Sequence, residues 1–111
     1  MPYSFGDVVL VRFPFTNQLA FKQRPAVVVS SGLYNASRPD VVIMAVTSQL
    51  HTPSEFGEMQ IDGWQAANLL KPSAVKAVFA TLEQRLILKK LGVLAGSDQS
   101  ALHQLIATSL G

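Results

Sequence analysis

Arg24 opens the stretch Arg24-Pro25-Ala26-Val27-Val28-Val29-Ser30, where a cationic turn that includes Lys22 runs straight into a segment too apolar to face water. A guanidinium cannot be buried there unpaired. Pro25 has a fixed φ and no N–H, biases the residue before it toward extended backbone, and suits the first position of a strand. The Arg24 charge is thus held at a rigid lip, although a plain charged residue at a strand end has the same signature. The Thr47 hydroxyl closes a second apolar run, Val41-Val42-Ile43-Met44-Ala45-Val46-Thr47. His51 stands four residues later in a polar loop, and its titration near neutrality makes it a candidate general base, though a loop histidine is also commonly incidental. His103 falls on a helical stretch and reads as a surface residue. No glycine-rich phosphate loop, no His/Asp/Glu grouping at metal-ligand spacing and no Gly-x-Ser-x-Gly elbow is found. Cysteine is absent, which excludes thiolate zinc sites, Cys nucleophiles and disulfides. What remains is a cation at one strand start and a hydroxyl at another strand end, which the open lip of a barrel could bring together.

The elements that must position these groups are short strands. Gly6-Asp7 launches Val8-Val9-Leu10-Val11-Arg12-Phe13, nearly continuous in apolar residues as expected where both faces are covered, and Pro14 stops it. A hairpin-length loop carrying Phe15 and Phe21 returns the chain at Arg24, so the second strand should pair with the first. Gly32, Asn35 and Pro39 punctuate a connection to a third strand over 40–47. A short strand over 58–61, an Asp62-Gly63 turn and an alternating strand over 73–81 follow. Residues 83–94 are ambiguous between a strand and a single helical turn. Gly96-Ser97 predicts the start of a terminal helix with Ser97 as N-cap and Asp98 near the positive end of its dipole. Leu102, Leu105, Ile106 and Ser109 form its packed stripe. The pattern predicts a mainly β, α+β fold: a small, half-open antiparallel barrel capped by the C-terminal helix.

With 111 residues the chain is expected to be one domain, 1–111, large enough for a core without metal or disulfide staples. No apolar run approaches the roughly 18 residues of a membrane helix, and the N-terminus lacks the basic and apolar regions of a signal peptide. A soluble, cytoplasmic protein is expected. The net charge of +2 is a weak argument for nucleic acid. The low charged fraction, 14% against 49% apolar, predicts apolar surface left for a partner or a second copy.

Five segments in order, Gly6-Asp7-Val8-Val9-Leu10-Val11, Phe13-Pro14-Phe15-Thr16, Arg24-Pro25-Ala26-Val27-Val28-Val29-Ser30, Val46-Thr47-Ser48-Gln49 and Leu70-Lys71-Pro72-Ser73-Ala74-Val75-Lys76, together resemble the MazF/PemK toxins of type II toxin–antitoxin systems. The resemblance runs over nearly the whole chain. It implies an SH3-like antiparallel barrel shared with the CcdB toxins and a homodimer. It further implies a metal-independent, sequence-specific endoribonuclease, an mRNA interferase that cuts single-stranded RNA and needs no cofactor. By the resemblance, Arg24 matches the family's catalytic arginine and Thr47 its catalytic threonine. A cognate antitoxin with a disordered acidic tail is the implied protein partner, since such a tail folds on binding and can cover a cationic groove.

The chemistry suits these roles. Attack of a 2′-hydroxyl on the adjacent phosphate builds charge on non-bridging oxygens, to which arginine presents a fixed fork of donors. The products would be a 2′,3′-cyclic phosphate and a 5′-hydroxyl. Lys22, Gln49, Lys71, Ser73 and Lys76 are the expected RNA contacts around the same lip, cations tracking the backbone and amides reading exposed bases. Each also has a structural reading: Lys76 as the solvated face of an alternating strand, Ser73 as a turn residue after Pro72, Gln49 as a loop cap. The loop before Arg24 lacks the Glu-Gln and Gly residues of many family members, which leaves the recognised sequence open. Two rivals remain at this level, a CcdB-like gyrase poison that binds without cutting and a passive SH3-like binding module.

Overall fold

The computed structural model describes residues 3–12, 23–50 and 56–111. Among the described residues, six strands, two helices and one 3₁₀ turn follow in order: β1 (Asp7–Arg12), β2 (Gln23–Val28), α1 (Gly32–Ser37), β3 (Asp40–Thr47), β4 (Glu58–Gln60), β5 (Ala74–Glu83), the turn Gln84–Leu86, β6 (Lys89–Val93) and α2 (Gly96–Leu110). The strands form one antiparallel sheet in the order β4-β5-β3-β2-β1-β6. The sheet does not close: β4 and β6 are its two edges, in keeping with the half-open architecture expected. Among the described residues no helix is long and apolar enough to cross a membrane.

The unbroken apolar runs of β1, β2 and β3 are explained by two cores, one on each face. Val8, Val27, Met44 and Val46 pack with Leu102 and Leu105 of α2. Their neighbours in sequence, Val9, Val11, Ala26, Val28, Val41 and Ile43, pack on the other face with Ile87. Successive side chains on a strand point to opposite faces, so only a doubly apolar sequence satisfies both cores. Each fully buried valine contributes about 1.5–3 kcal/mol.

Two local expectations are corrected and one ambiguity is resolved. The connection after β2 contains the helix α1, whose N-cap Ser31 accepts a hydrogen bond from the Tyr34 N–H at 3.1 Å. Six residues are too short for a periodic signal, and what holds α1 is tertiary. Asn35 is buried, its Nδ2 donates to the Tyr3 carbonyl at 2.8 Å, and its own carbonyl accepts from Gln84 Nε2 at 2.7 Å. The ambiguous segment 83–94 resolves into the 3₁₀ turn followed by β6.

Finally, α2 has Ala95 as its N-cap, with no side-chain capping bond, and Ser97 lies inside the helix. Asp98 stands in the first turn, near the positive end of the dipole as expected, and it also acts as an anchor. It is buried, and its two oxygens accept from the backbone N–H groups of Asp62 at 3.1 Å and Gly63 at 2.9 Å. The helix is thereby tied to the segment that leads toward β5.

Candidate active site

Arg24 is the second residue of β2 and is exposed, while the strand becomes fully buried two residues later. The β2–β3 ladder pairs Ala26 with Ala45, Val27 with Met44 and Val28 with Ile43. Carried two residues past its last pair, that register sets Arg24 across from Thr47 on the same side of the sheet, because directly opposed residues share a face. Thr47 is half-buried at the last position of β3, and its Oγ1 accepts the Gln49 N–H at 3.1 Å, a side-chain turn that ends the strand.

A cleft of about 570 Å³ lies across this end of four neighbouring strands. Leu10 of β1, Gln23, Arg24 and Pro25 of β2, Val46 and Ser48 at the end of β3, and Lys89 and Leu91 of β6 form one side. Asn68, Leu69, Leu70, Lys71 and Ser73 form the other. Three of these side chains are cations, and none of the described lining residues is a carboxylate.

The second wall is built from a tight segment. The N–H groups of Ala67, Asn68 and Leu69 are bonded back to the carbonyls of Gly63, Gln65 and Trp64. Asn68 takes a φ of 63°, a left-handed conformation that asparagine tolerates better than most residues. Gly92 of β6 lets the segment approach, since a Cβ there would stand 2.6 Å from the Ala67 carbonyl oxygen. With Ala67 and Leu69 buried beneath, Leu70 is 94% exposed and Lys71 projects beside it, an apolar surface next to a charge.

The cleft gathers three of the residues singled out in the sequence, Arg24, Lys71 and Ser73, whereas Thr47 is not among its lining residues, although its neighbours Val46 and Ser48 are. Ser73 is 6% exposed and its Oγ donates to the Lys71 carbonyl at 2.8 Å, so its hydroxyl holds the turn that presents Lys71. Gln49 and Lys76 do not line the cleft. Gln49 is exposed beyond the end of β3, and Lys76 lies on β5 opposite Glu58 of β4. Lys22 and His51 lie outside the described residues. His103 is on the exposed side of α2, its ring stacked on Phe5 at 4.1 Å between centroids. Gln23, Ser48, Asn68 and Lys89 are lining residues that sequence reasoning missed. Lys89 is one of an adjacent Lys-Lys pair, and which of the two faced the cleft required the β6 register.

An open antiparallel sheet carrying one long helix, with a cation-lined cleft across the end of four strands, defines a small β protein suited to an anionic ligand. The chain belongs to the PemK-like, MazF-like toxins of type II toxin–antitoxin systems, whose family model matches residues 4–110.

A comparison with curated proteins finds no sequence match. Among solved structures the fold is similar to that of an endoribonuclease in complex with its cognate antitoxin from a mycobacterial species. That match has a TM-score of 0.80 and 19% identity, covering 98% of this chain and 95% of that one. It is also similar to MazF from Deinococcus radiodurans, at TM-score 0.78 and 18% identity, covering 100% and 98%. A third is the Mycobacterium tuberculosis toxin MazF-mt6, at TM-score 0.76 and 17% identity, covering 94% and 95%. At these identities the likeness is one of fold, and the family match carries the membership.

Proposed function

We propose that this chain is the toxin of a toxin–antitoxin pair and cleaves single-stranded RNA without a metal, arresting translation and growth in the cytoplasm. The observation that supports this most is the cleft in which Arg24, in register with Thr47, meets further cations and no described carboxylate. Such a site attracts a polyanion and has donors where charge develops.

In this reading the 2′-oxygen of one nucleotide attacks the adjacent phosphorus. The bond from phosphorus to the 5′-oxygen of the next nucleotide breaks, and the proton lost from the 2′-hydroxyl is balanced by one gained at that 5′-oxygen. A 2′,3′-cyclic phosphate and a 5′-hydroxyl result. Arg24 holds the non-bridging oxygens through its planar fork as their charge grows. The Thr47 hydroxyl orients the phosphate. His51 is the candidate for taking the 2′-proton. Lys71 holds the strand by charge, and the exposed Leu70 beside it gives a base an apolar face.

The toxin would act as a homodimer and be silenced by an antitoxin whose acidic, disordered tail orders itself on binding. Three of the solved neighbours bear on this: one is a mycobacterial endoribonuclease in complex with its cognate antitoxin, and two are crystal forms of MazE–MazF from D. radiodurans. The gyrase-poison alternative is not favoured, because the matched family is that of MazF-like toxins, known as endoribonucleases.

The test is to incubate the purified protein and its Arg24→Ala variant with a long single-stranded RNA in excess EDTA and to map the new ends. Discrete cuts ending in cyclic phosphate and 5′-hydroxyl, at least about 10²-fold slower in the variant, are expected for loss of one transition-state donor. An intact RNA after incubation with folded wild-type protein would rule the nuclease reading out.

A further inference from the structure

The β1–β6 ladder separates two adjacent lysines. Val9 is paired with Lys90 and Leu10 with Lys89, past a register shift, so the two side chains leave opposite faces of the sheet. Lys90 is engaged by Asp7, with Nζ 3.3 Å from Oδ1. Lys89 is exposed, is in no ion pair among the described residues, and lines the cleft.

Lys89, Leu10 and Pro25 stand in one row on three adjacent strands. Two strand spacings therefore separate the backbone of Lys89 from that of Pro25, about 10 Å. Arg24, one residue before Pro25 and paired with Val11, leaves β2 on the other side from the row of Lys89, Leu10 and Pro25, so the two cations reach the cleft from different sides and do not form a single fork.

We propose that Lys89 binds a second phosphate of the RNA strand, a neighbour of the one at which Arg24 acts, and thereby sets how the strand lies in the cleft. The proposal rests on the ribonuclease reading above. A lysine suits this role because it is a point charge on a flexible stem and needs no fixed geometry. Because a flanking phosphate keeps its charge through the reaction, the contact is equally strong in ground and transition states, and belongs in KM rather than kcat. Leu10 and Pro25 give the nucleoside between the two phosphates an apolar floor.

The experiment compares wild type, Lys89→Gln, Lys89→Arg and Lys90→Gln on a short RNA containing the mapped cleavage site, over a range of salt. For Lys89→Gln the expected result is a KM about five- to tenfold higher at low salt, an unchanged kcat, and a log–log salt slope smaller in magnitude by about 0.7. That decrement is the value for one phosphate contact on a single strand. Lys89→Arg should restore the slope, and Lys90→Gln should leave it alone. Replacing the neighbouring phosphate by a neutral methylphosphonate should weaken wild type by the same factor and leave Lys89→Gln unaffected.

An unchanged KM and slope in Lys89→Gln, or a loss confined to kcat, would overturn the assignment. A 2′-deoxy-substituted, uncleavable copy separates the two failures. Salt-dependent binding of that copy without cleavage of the all-ribose RNA would overturn the nuclease reading and leave the binding slope to decide Lys89. A wild type that neither binds nor cuts would overturn both.

Discussion

Asn68 and Leu91 join the two walls of the cleft: Nδ2 of Asn68 donates to the Leu91 carbonyl at 2.8 Å, across 23 residues of sequence. The bond leaves from a residue in left-handed conformation, with φ 63°, so two independent requirements fall on one side chain. Asn68→Gly keeps the backbone and loses the bond, at an expected cost of about 0.5–1.5 kcal/mol. Asn68→Val loses both and should cost at least a further 1 kcal/mol or so, because a β-branched residue resists positive φ. Urea unfolding of the two variants measures the difference, and equal stabilities would remove the conformational part of the account.

Asp98 anchors α2 where the sequence pointed to Ser97. Asp98→Ala leaves two backbone N–H groups of residues 62 and 63 without their acceptor and should destabilise the protein by about 2–3 kcal/mol. Ser97 is exposed and caps nothing, so Ser97→Ala should change stability by no more than about 0.5 kcal/mol. The reverse order of effects in thermal or denaturant unfolding would restore Ser97 as the cap.

Register with Arg24 predicts a division among the polar residues. Thr47→Val preserves shape at the end of β3 but removes the hydroxyl, and should slow RNA cleavage about tenfold, the scale of one neutral hydrogen bond. Lys76→Ala, outside the cleft on β5, should leave the cleavage rate within about twofold, inside the scatter of a distant surface change. Rates measured on one RNA substrate at a single salt concentration decide this, and a large Lys76 effect would mean that the bound strand extends onto β5.

The Arg38–Asp40 pair gives a pH signature that belongs to the fold rather than to the site. Arg38 Nε lies 2.9 Å from Asp40 Oδ1, and this hydrogen bond holds the Asp40 carboxyl below its ordinary value of 3.8. A carboxyl whose pKa is depressed by folding stabilises the native state above the unfolded value, and that stabilisation is lost as pH falls through the depressed one. Arg38→Ala should therefore be the less stable protein at pH 7, with the gap closing in strong acid once Asp40 is protonated in both. Because the pair is exposed and screened, the gap should be small and should shrink further in high salt.

How much was legible in the chain differs from element to element. The bounds of β3 and the approximate positions of β1, β2, β4, β5 and α2 follow from local patterns: doubly apolar runs, proline and glycine stops, and a helical stripe through Leu102 and Leu105. The strand-end positions of Arg24 and Thr47 were visible for the same reason, since a charge and a hydroxyl at the ends of such runs are local features. The tertiary structure decided the rest. Helix α1 exists because Asn35 is tied to Tyr3 and Gln84, partners 32 and 49 residues away. Asp98 meets residues 62 and 63 through a contact that no local pattern encodes. Lys89 and Lys90 are identical neighbours in sequence, and only the register of β6 against β1 sends one into the cleft and the other to Asp7. Periodicity along the chain thus determined which residues are strand and core, whereas pairing across the chain, set by cooperative packing of both faces of the sheet, determined which charges share a site.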